Sequence, residues 1–245
     1  MQRAPILIFD SGLGGLSIYQ KLVELAPDYP YLYLADQAHF PYGDKAGTWL
    51  AARLTELAAW FATQNPCLVV LACNTATVNA IGLVRQVVPV PVVGVEPVSK
   101  PLHAYAHPLI LATAATARAA SQAESTPIPF YTPGHLATAV ELGDTAGITA
   151  EIEAVTAYVR ENEVNALGLS CTHYPLVKNE LQRALPDIPI IEPSLAVARH
   201  AHSLLPAPPV GSAPTRFVTT GSVLRLAEGV ARYLGQRITA EHIEI

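Results

Sequence analysis

Short, almost continuous apolar runs recur along the chain, and each is followed by a turn and a segment with helical spacing. Runs of this kind are typical of strands that are buried on both faces of a parallel sheet. We predict strands at residues 6–9, 31–34, 68–72, 91–94, 109–112, 128–131, 164–169, 188–191 and 217–219.

The segments between the predicted strands carry apolar stripes at helical spacing. The two clearest stripes are Leu50, Leu54, Leu57 and Phe61, and, near the C-terminus, Val223, Leu226, Val230 and Tyr233. Strands that alternate with helices in this way favour a doubly wound α/β fold with largely parallel sheets.

Two breaks in the pattern indicate two lobes. One break follows the fourth predicted strand near residue 95, and the other is the proline-rich stretch at 205–211. We therefore expect a first α/β lobe from residues 1–95 plus 208–245 and a second from residues 96–207. A faint repeat between residues 65–75 and 162–173 predicts lobes related by a pseudo-twofold axis, with the site in the cleft between them.

Composition narrows the class of protein. Of the 245 residues, 51% are hydrophobic and 14% charged, which favours a large folded core over disorder. The net charge of −5 without a basic run argues against direct nucleic-acid binding. No apolar stretch approaches the ~20 residues of a membrane span, and the N-terminal apolar run stops at Asp10. We therefore expect a cytoplasmic protein with no membrane partner.

Two of the three cysteines occupy matching positions. Cys73 and Cys171 each end an apolar strand and precede a predicted helix, whereas Cys67 is interpreted as a small buried hydrophobe. A metal site would need further ligands at zinc spacing, so we predict none. A cysteine hydrolase built on Cys171 and His173 would leave Cys73 without a role. Two-sided proton transfer uses both thiols.

Two further segments carry candidate chemistry. Asp10 begins a glycine-rich turn after the first strand, where its carboxylate could act as a base or orient a cationic group, or cap an ordinary strand-to-helix turn. Pro41, Tyr42 and Gly43 form a turn in the loop after the second strand, which is interpreted either as a binding loop or as a surface loop.

Four motifs together resemble the glutamate racemase family of the aspartate/glutamate racemase superfamily. They are residues 9–16, residues 41–43 with Lys45, residues 72–76 and residues 171–175, and they occur in order over nearly the whole chain. Two positions depart from the family's usual pattern, since Ser170 replaces a glycine and Thr132 replaces a cysteine.

The resemblance implies two α/β lobes around a central site that interconverts L- and D-glutamate without a cofactor and supplies D-glutamate for peptidoglycan. Cys73 would remove the α-proton from D-glutamate and Cys171 from L-glutamate, with Asp10 assisting Cys73 and His173 assisting Cys171. Asp36 and Glu141 match supporting acidic positions. A homodimer is implied as well. The residues that would hold the substrate are Ser11, Pro41, Tyr42, Gly43, Asn74, Thr75, Thr116 and Thr172.

Two other functions remain open. The first is a racemase of aspartate or another acidic amino acid, although Thr172 and His173 after the second cysteine favour glutamate. The second is a non-catalytic family member that restrains DNA gyrase. The presence of both cysteines and of both assisting residues, Asp10 and His173, favours an enzyme.

Overall fold

The computed structural model describes residues 4–123, 128–207 and 214–245. These residues form ten strands. They are β1 (Ile6–Asp10), β2 (Tyr31–Ala35), β3 (Leu68–Leu71), β4 (Val92–Gly94), β5 (Pro108–Ala112), β6 (Phe130–Tyr131), β7 (Ala166–Ser170), β8 (Ile190–Ile191), β9 (Arg216–Thr219) and β10 (Ala240–His242). The nine predicted strands are confirmed, β6 and β8 being shorter than predicted, and β10 was not predicted.

The strands form two parallel sheets with a shared topology. A six-stranded sheet has the order β10-β9-β2-β1-β3-β4, and a four-stranded sheet has the order β6-β5-β7-β8. Every neighbouring pair is parallel. Counted along the chain, the first four strands of each lobe lie side by side in the order second, first, third, fourth: β2-β1-β3-β4 in one sheet and β6-β5-β7-β8 in the other. β3 and β7 therefore occupy equivalent places, which the faint sequence repeat predicted.

Ten helices connect and cover the strands in the described residues. They are α1 (Leu16–Leu25), α2 (Gly47–Thr63), α3 (Asn74–Val87), α4 (Ser99–Leu102), α5 (Ala114–Ala123), α6 (Leu136–Leu142), α7 (Thr145–Glu161), α8 (Lys178–Ala184), α9 (Ser194–Ser203) and α10 (Val223–Leu234). Short 3₁₀ turns span Gln37–His39, Tyr42–Asp44 and Tyr174–Val177. None of the helices in these ranges has the length and hydrophobicity that a bilayer crossing requires.

The six-stranded sheet is covered on both faces, as a doubly wound fold requires. Ile6 and Ile8 of β1 pack into one core with α1, α9 and α10, and Leu7 and Phe9 pack into another with α2 and α3. The predicted stripe on α2 is fully buried. The predicted stripe on α10 does not include Val223 in the structure. Val223 is 40% exposed because it is the first residue of the helix and precedes the buried turn.

The sheets suggest where the lobes divide. The six-stranded sheet draws its strands from both ends of the chain and the four-stranded sheet from the middle. We propose the division into residues 1–95 plus 208–245 and residues 96–207, although α9, from the second segment, packs on α1 and places Val197, Ala198 and Ala201 in the first lobe's core. The boundary at 207/208 adjoins residues 208–213, which lie outside the described residues.

Candidate active site

The two predicted catalytic cysteines lie at equivalent strand ends, one in each lobe. Cys73 follows β3 and precedes α3, and Cys171 directly follows β7. Both are buried, at 5% and 6% exposure, and both line a single interlobe cavity of about 20 Å³. The cavity is lined by Ser11, Phe40, Pro41, Tyr42, Gly43, Cys73, Asn74, Thr75, Thr113, Ala137, Cys171, Thr172 and His173.

The Cys73 thiol has a neutral partner and a nearby negative charge. Its Sγ donates to Ser11 Oγ at 3.8 Å. Burial, with the added charge of Asp10, raises the pKa of Cys73 to about 12, although the Ala76 N–H and Ser11 oppose the rise. Cys73 therefore holds its proton at neutral pH.

The Cys171 thiol lies beside a cation. Burial alone would lower the pKa of His173, but hydrogen bonds to Cys171 and Glu141 raise it well above its ordinary value. His173 Nε2 lies 2.9 Å from Glu141 Oε2. Burial would raise the pKa of Glu141, yet the hydrogen bond from His173 is the main reason that this pKa is lowered. The pair is therefore an imidazolium and a carboxylate.

Glu141 also connects the second lobe to the first. Its Oε2 accepts from the Leu13 backbone N–H at 2.7 Å, and its Oε1 accepts from Gln37 Nε2 at 2.6 Å. The carboxylate is 1% exposed and so uses protein donors in place of water.

Asp10, at the end of β1, makes a second connection between the lobes. Its Oδ1 accepts from the Gly12 N–H at 2.8 Å, and its Oδ2 accepts from the Thr172 hydroxyl at 2.9 Å. Burial raises the pKa of Asp10, although the charge of His173 opposes this. The charge of Asp10 therefore affects the pKa of Cys73, whereas its interlobe hydrogen bond is to Thr172, the residue after Cys171.

A buried ion pair supports the 41–43 turn. Arg53 donates to both oxygens of Asp36, at 3.0 and 2.7 Å, and the hydroxyls of Tyr42 and Thr220 donate to the same carboxylate at 2.5 and 2.7 Å. Burial would raise the pKa of Asp36, but these donors lower it to about 2. The Phe40–Pro41 peptide bond is cis.

Three threonine hydroxyls meet across the cleft. Thr75 Oγ1 of α3 lies 3.0 Å from Thr113 Oγ1 and 3.1 Å from Thr116 Oγ1 in the second lobe. Asn74 Nδ2 donates to the Val95 carbonyl at 3.3 Å, whereas the buried Asn74 Oδ1 has no partner among the described residues. A buried acceptor without a donor can accept from a bound ligand.

Most of the predicted site is brought together at this cavity. Ten of the predicted residues line it, Thr116 contacts it through Thr75, and Asp10, Asp36 and Glu141 lie behind its walls. Phe40, which was predicted as a possible wall of the pocket, lines the cavity. The sequence prediction missed Gln37, Arg53, Thr113, Ala137 and Thr219. The repeat could have identified Thr113, since it follows β5 as Ser11 follows β1.

Ser170 also differs from the expected glycine in a way that has a structural role. Its hydroxyl accepts from the Val98 N–H at 3.2 Å, in the segment that leads from the first lobe into α4.

Within the three described ranges, no three or more His, Cys, Asp or Glu side chains are grouped so that they could hold a metal ion.

Comparison with known proteins identifies one family. Residues 6–201 match the Asp/Glu/Hydantoin racemase family model. A glutamate racemase of Ralstonia nicotianae is 35% identical, over 99% of this chain and 94% of the relative. Glutamate racemase from Francisella tularensis in complex with D-glutamate is 25% identical with a TM-score of 0.82, covering 100% of this chain and 98% of that one. Escherichia coli glutamate racemase in complex with L-glutamate and the activator UDP-MurNAc-ala is 27% identical with a TM-score of 0.79, covering 99% and 98%.

Proposed function

The chain belongs to the Asp/Glu/hydantoin racemase family, and from this membership we propose that it interconverts L- and D-glutamate and supplies D-glutamate for peptidoglycan. The observation that carries the proposal is the pair of thiols, Cys73 and Cys171, which line one cavity from equivalent strand ends of two lobes. A racemase needs a base on one face of the α-carbon and an acid on the other, and this pair can supply both.

The proposed reaction is a cofactor-independent proton transfer between two thiols. With D-glutamate, the Cys73 thiolate takes the α-proton as the C–H bond breaks, and the Cys171 thiol gives its proton to the opposite face of the carbon. With L-glutamate the roles reverse. Each turnover leaves the two thiols in exchanged protonation states, so one must be ionised while the other is protonated.

The charge that develops when the α-proton leaves must be stabilised by groups already in place. Candidates are the N-terminus of α3, which begins directly after Cys73, and the hydroxyls of Ser11, Thr75 and Thr172. The unpartnered Asn74 Oδ1 is suited to accept from the substrate ammonium group. Pro41, Tyr42, Gly43 and Thr116 would complete the enclosure of the two carboxylates.

Cysteine variants test the proposal directly. Cys73→Ala and Cys171→Ala should each lower racemisation of glutamate by at least 10²–10⁴-fold, the range of a positioned acid or base, measured by circular dichroism. Cys67→Ala is the matched control, because Cys67 is half-buried against the first lobe's core and lies outside the cavity. Full activity in either site variant, or turnover of aspartate alone by the unaltered protein, would refute the proposed function.

We also propose that the protein acts in the cytoplasm as a homodimer. Its three cysteines are all free, which suits a reducing compartment. Leu142 and Leu224 are large apolar side chains at 52% and 64% exposure, and a partner subunit could cover them. Sedimentation velocity gives the oligomeric state, and a monomer at all concentrations would contradict the homodimer.

A further inference from the structure

Gln37 lies between the two lobes behind the cavity, and its amide hydrogen-bonds on both sides. The residue follows β2 and is 6% exposed. Its Nε2 donates to Glu141 Oε1 at 2.6 Å, and its Oε1 accepts from the Thr219 hydroxyl of β9 at 3.0 Å. A continuous series of contacts therefore runs from His173 through Glu141 and Gln37 to Thr219.

The orientation of this amide is fixed by its neighbours. A carboxylate can only accept, so the NH₂ group must face Glu141. Thr219 Oγ1 already accepts from the Gly221 N–H at 2.9 Å, which leaves its own proton for Gln37 Oε1. Gly221 also packs closely, since a Cβ there would lie 2.7 Å from Gln37 Cβ. Gln37 thus has one amide orientation and little space to move.

We propose that Gln37 is a positioning residue that holds Glu141 against His173 and thereby prepares the Cys171 side of the site for proton transfer. This inference rests on the proposed racemase function. Gln37 does not line the cavity and acts through Glu141, whose remaining donors are the Leu13 N–H and His173.

The physical reason lies in the charge on Glu141. A hydrogen bond to the ionised carboxylate stabilises that form, and it contributes to the lowered pKa of Glu141. Without it, Glu141 is a weaker partner for the His173 imidazolium, so the pKa of His173 falls toward its ordinary value. The other titratable groups that face this pair are Asp10, Cys171, Tyr33 and Tyr233.

Gln37→Leu tests the inference, with Gln182→Leu as the matched control. Gln182 also hydrogen-bonds through its amide, to the Leu185 carbonyl among others, but lies in α8 outside the site. Gln37→Leu should lower kcat by on the order of 10- to 100-fold, the range for a lost hydrogen bond to a charged group. The alkaline limb of the pH–rate profile should also move to lower pH. Gln182→Leu should change neither kcat nor the pH–rate profile.

A second variant separates positioning from general loosening. In Gln37→Glu the introduced carboxyl can donate to Glu141 when protonated but repels it when ionised. Its activity relative to the unaltered protein should therefore be highest at low pH and fall as pH rises. A merely structural defect would lower activity by the same factor at every pH.

Titration of the His173 ring by NMR gives a readout that does not depend on turnover. Gln37→Leu should lower the pKa of His173, and an unchanged pKa together with an unchanged pH–rate profile would overturn the inference. If Gln37→Leu fails to fold, Thr219→Val gives a milder version of the test. It keeps the side-chain shape but removes the donor that orients the Gln37 amide, along with the acceptor of the Gly221 N–H. Absence of glutamate racemisation in the unaltered protein would instead refute the proposed function.

Discussion

The two thiols share a position in the fold but differ in their neighbours. Cys73 donates to the neutral Ser11 and lies near the Asp10 carboxylate, whereas Cys171 lies beside the His173 imidazolium. Enantiomers have equal free energies in water, so kcat/KM must be the same in both directions. The chemical difference between the thiols can therefore be seen only in kcat and KM taken separately.

We predict that the two directions respond differently to pH. Because the pKa of Cys73 is about 12, the thiolate that D-glutamate requires is scarce at neutral pH and increases as pH rises. kcat from D-glutamate should accordingly rise more steeply than kcat from L-glutamate between about pH 7 and about pH 9. Initial rates by circular dichroism from each enantiomer measure this, and superimposable kcat profiles would contradict it.

Asp36 should contribute stability that depends on pH. Its pKa in the folded protein is about 2, below the ordinary 3.8, so its contribution is full above about pH 4 and is lost as pH falls toward about 2. The shift corresponds to about 2 kcal/mol. Asp36→Asn should remove this acid dependence and, by leaving the buried Arg53 without its counter-charge, lower the free energy of unfolding at pH 7 by about 3–5 kcal/mol.

Urea unfolding at a series of pH values gives both quantities. Glu56→Gln is the control, because the Glu56 side chain is 64% exposed in its ion pair with Arg53 and should contribute less than about 1 kcal/mol. Equal losses of stability in the two variants would mean that Arg53 does not depend on Asp36.

At the scale of elements, the glycine-rich turn between β1 and α1 lets the second lobe approach. A Cβ on Gly14 would lie 2.5 Å from Thr172 Oγ1 and 2.7 Å from His173 Nδ1. We predict that Gly14→Ala displaces these residues and lowers kcat/KM by on the order of 100-fold, as small displacements at a reacting centre can.

Gly82 supplies the matched substitution. It lies in the middle of α3 on the side that faces solvent, and a Cβ there would meet nothing within 4 Å. Gly82→Ala should leave activity unchanged and stabilise the protein by about 0.5–1 kcal/mol, because alanine favours the helix over the unfolded chain. Similar losses of activity in both variants would show that close packing at Gly14 does not cause the loss of activity in Gly14→Ala.

Sequence patterns predicted those elements that are buried throughout. β1, β2 and β3 were identifiable because every residue in them is buried and the runs are accordingly apolar. β10 was not, since its residues Ala240, Glu241 and His242 lack an apolar pattern and the strand depends on pairing with β9. Strand pairing of this kind is a property of the folded chain and leaves little local signal.

The same limit applies to the site. The cysteines and their flanking residues were identifiable because each follows a strand in a short motif. The contact between Gln37 and Glu141 joins residues 104 positions apart, and no local pattern in either segment specifies it. Arg53 was missed for a similar reason, because it lies within the amphipathic pattern of α2, where an arginine usually faces solvent.

In the whole molecule, several buried polar contacts hold the lobes together around the cavity. Asp10 accepts from Thr172, Glu141 accepts from Leu13, and Thr75 contacts Thr113. The cavity of about 20 Å³ offers little more than the room that a single water molecule needs, which is less than glutamate needs. We therefore predict that the lobes move apart to admit glutamate to the two thiols.

Lobe separation can be measured at a single backbone amide. The Leu13 N–H donates across the lobes to Glu141, so its hydrogen exchange requires that this contact open, whereas the Gly12 N–H donates to Asp10 within the first lobe. Tyr233 of α10 donates to the Val140 carbonyl of α6 at 2.6 Å, and Tyr233→Phe removes this interlobe bond. Loss of this hydrogen bond should make separation of the lobes easier by about 0.5–1.5 kcal/mol. Hydrogen exchange at the Leu13 amide should therefore become about 2- to 10-fold faster, while exchange at the Gly12 amide stays the same. Equal acceleration of both amides, measured by NMR, would indicate local loosening of the turn, and no change at either would mean that the lobes do not separate at this contact.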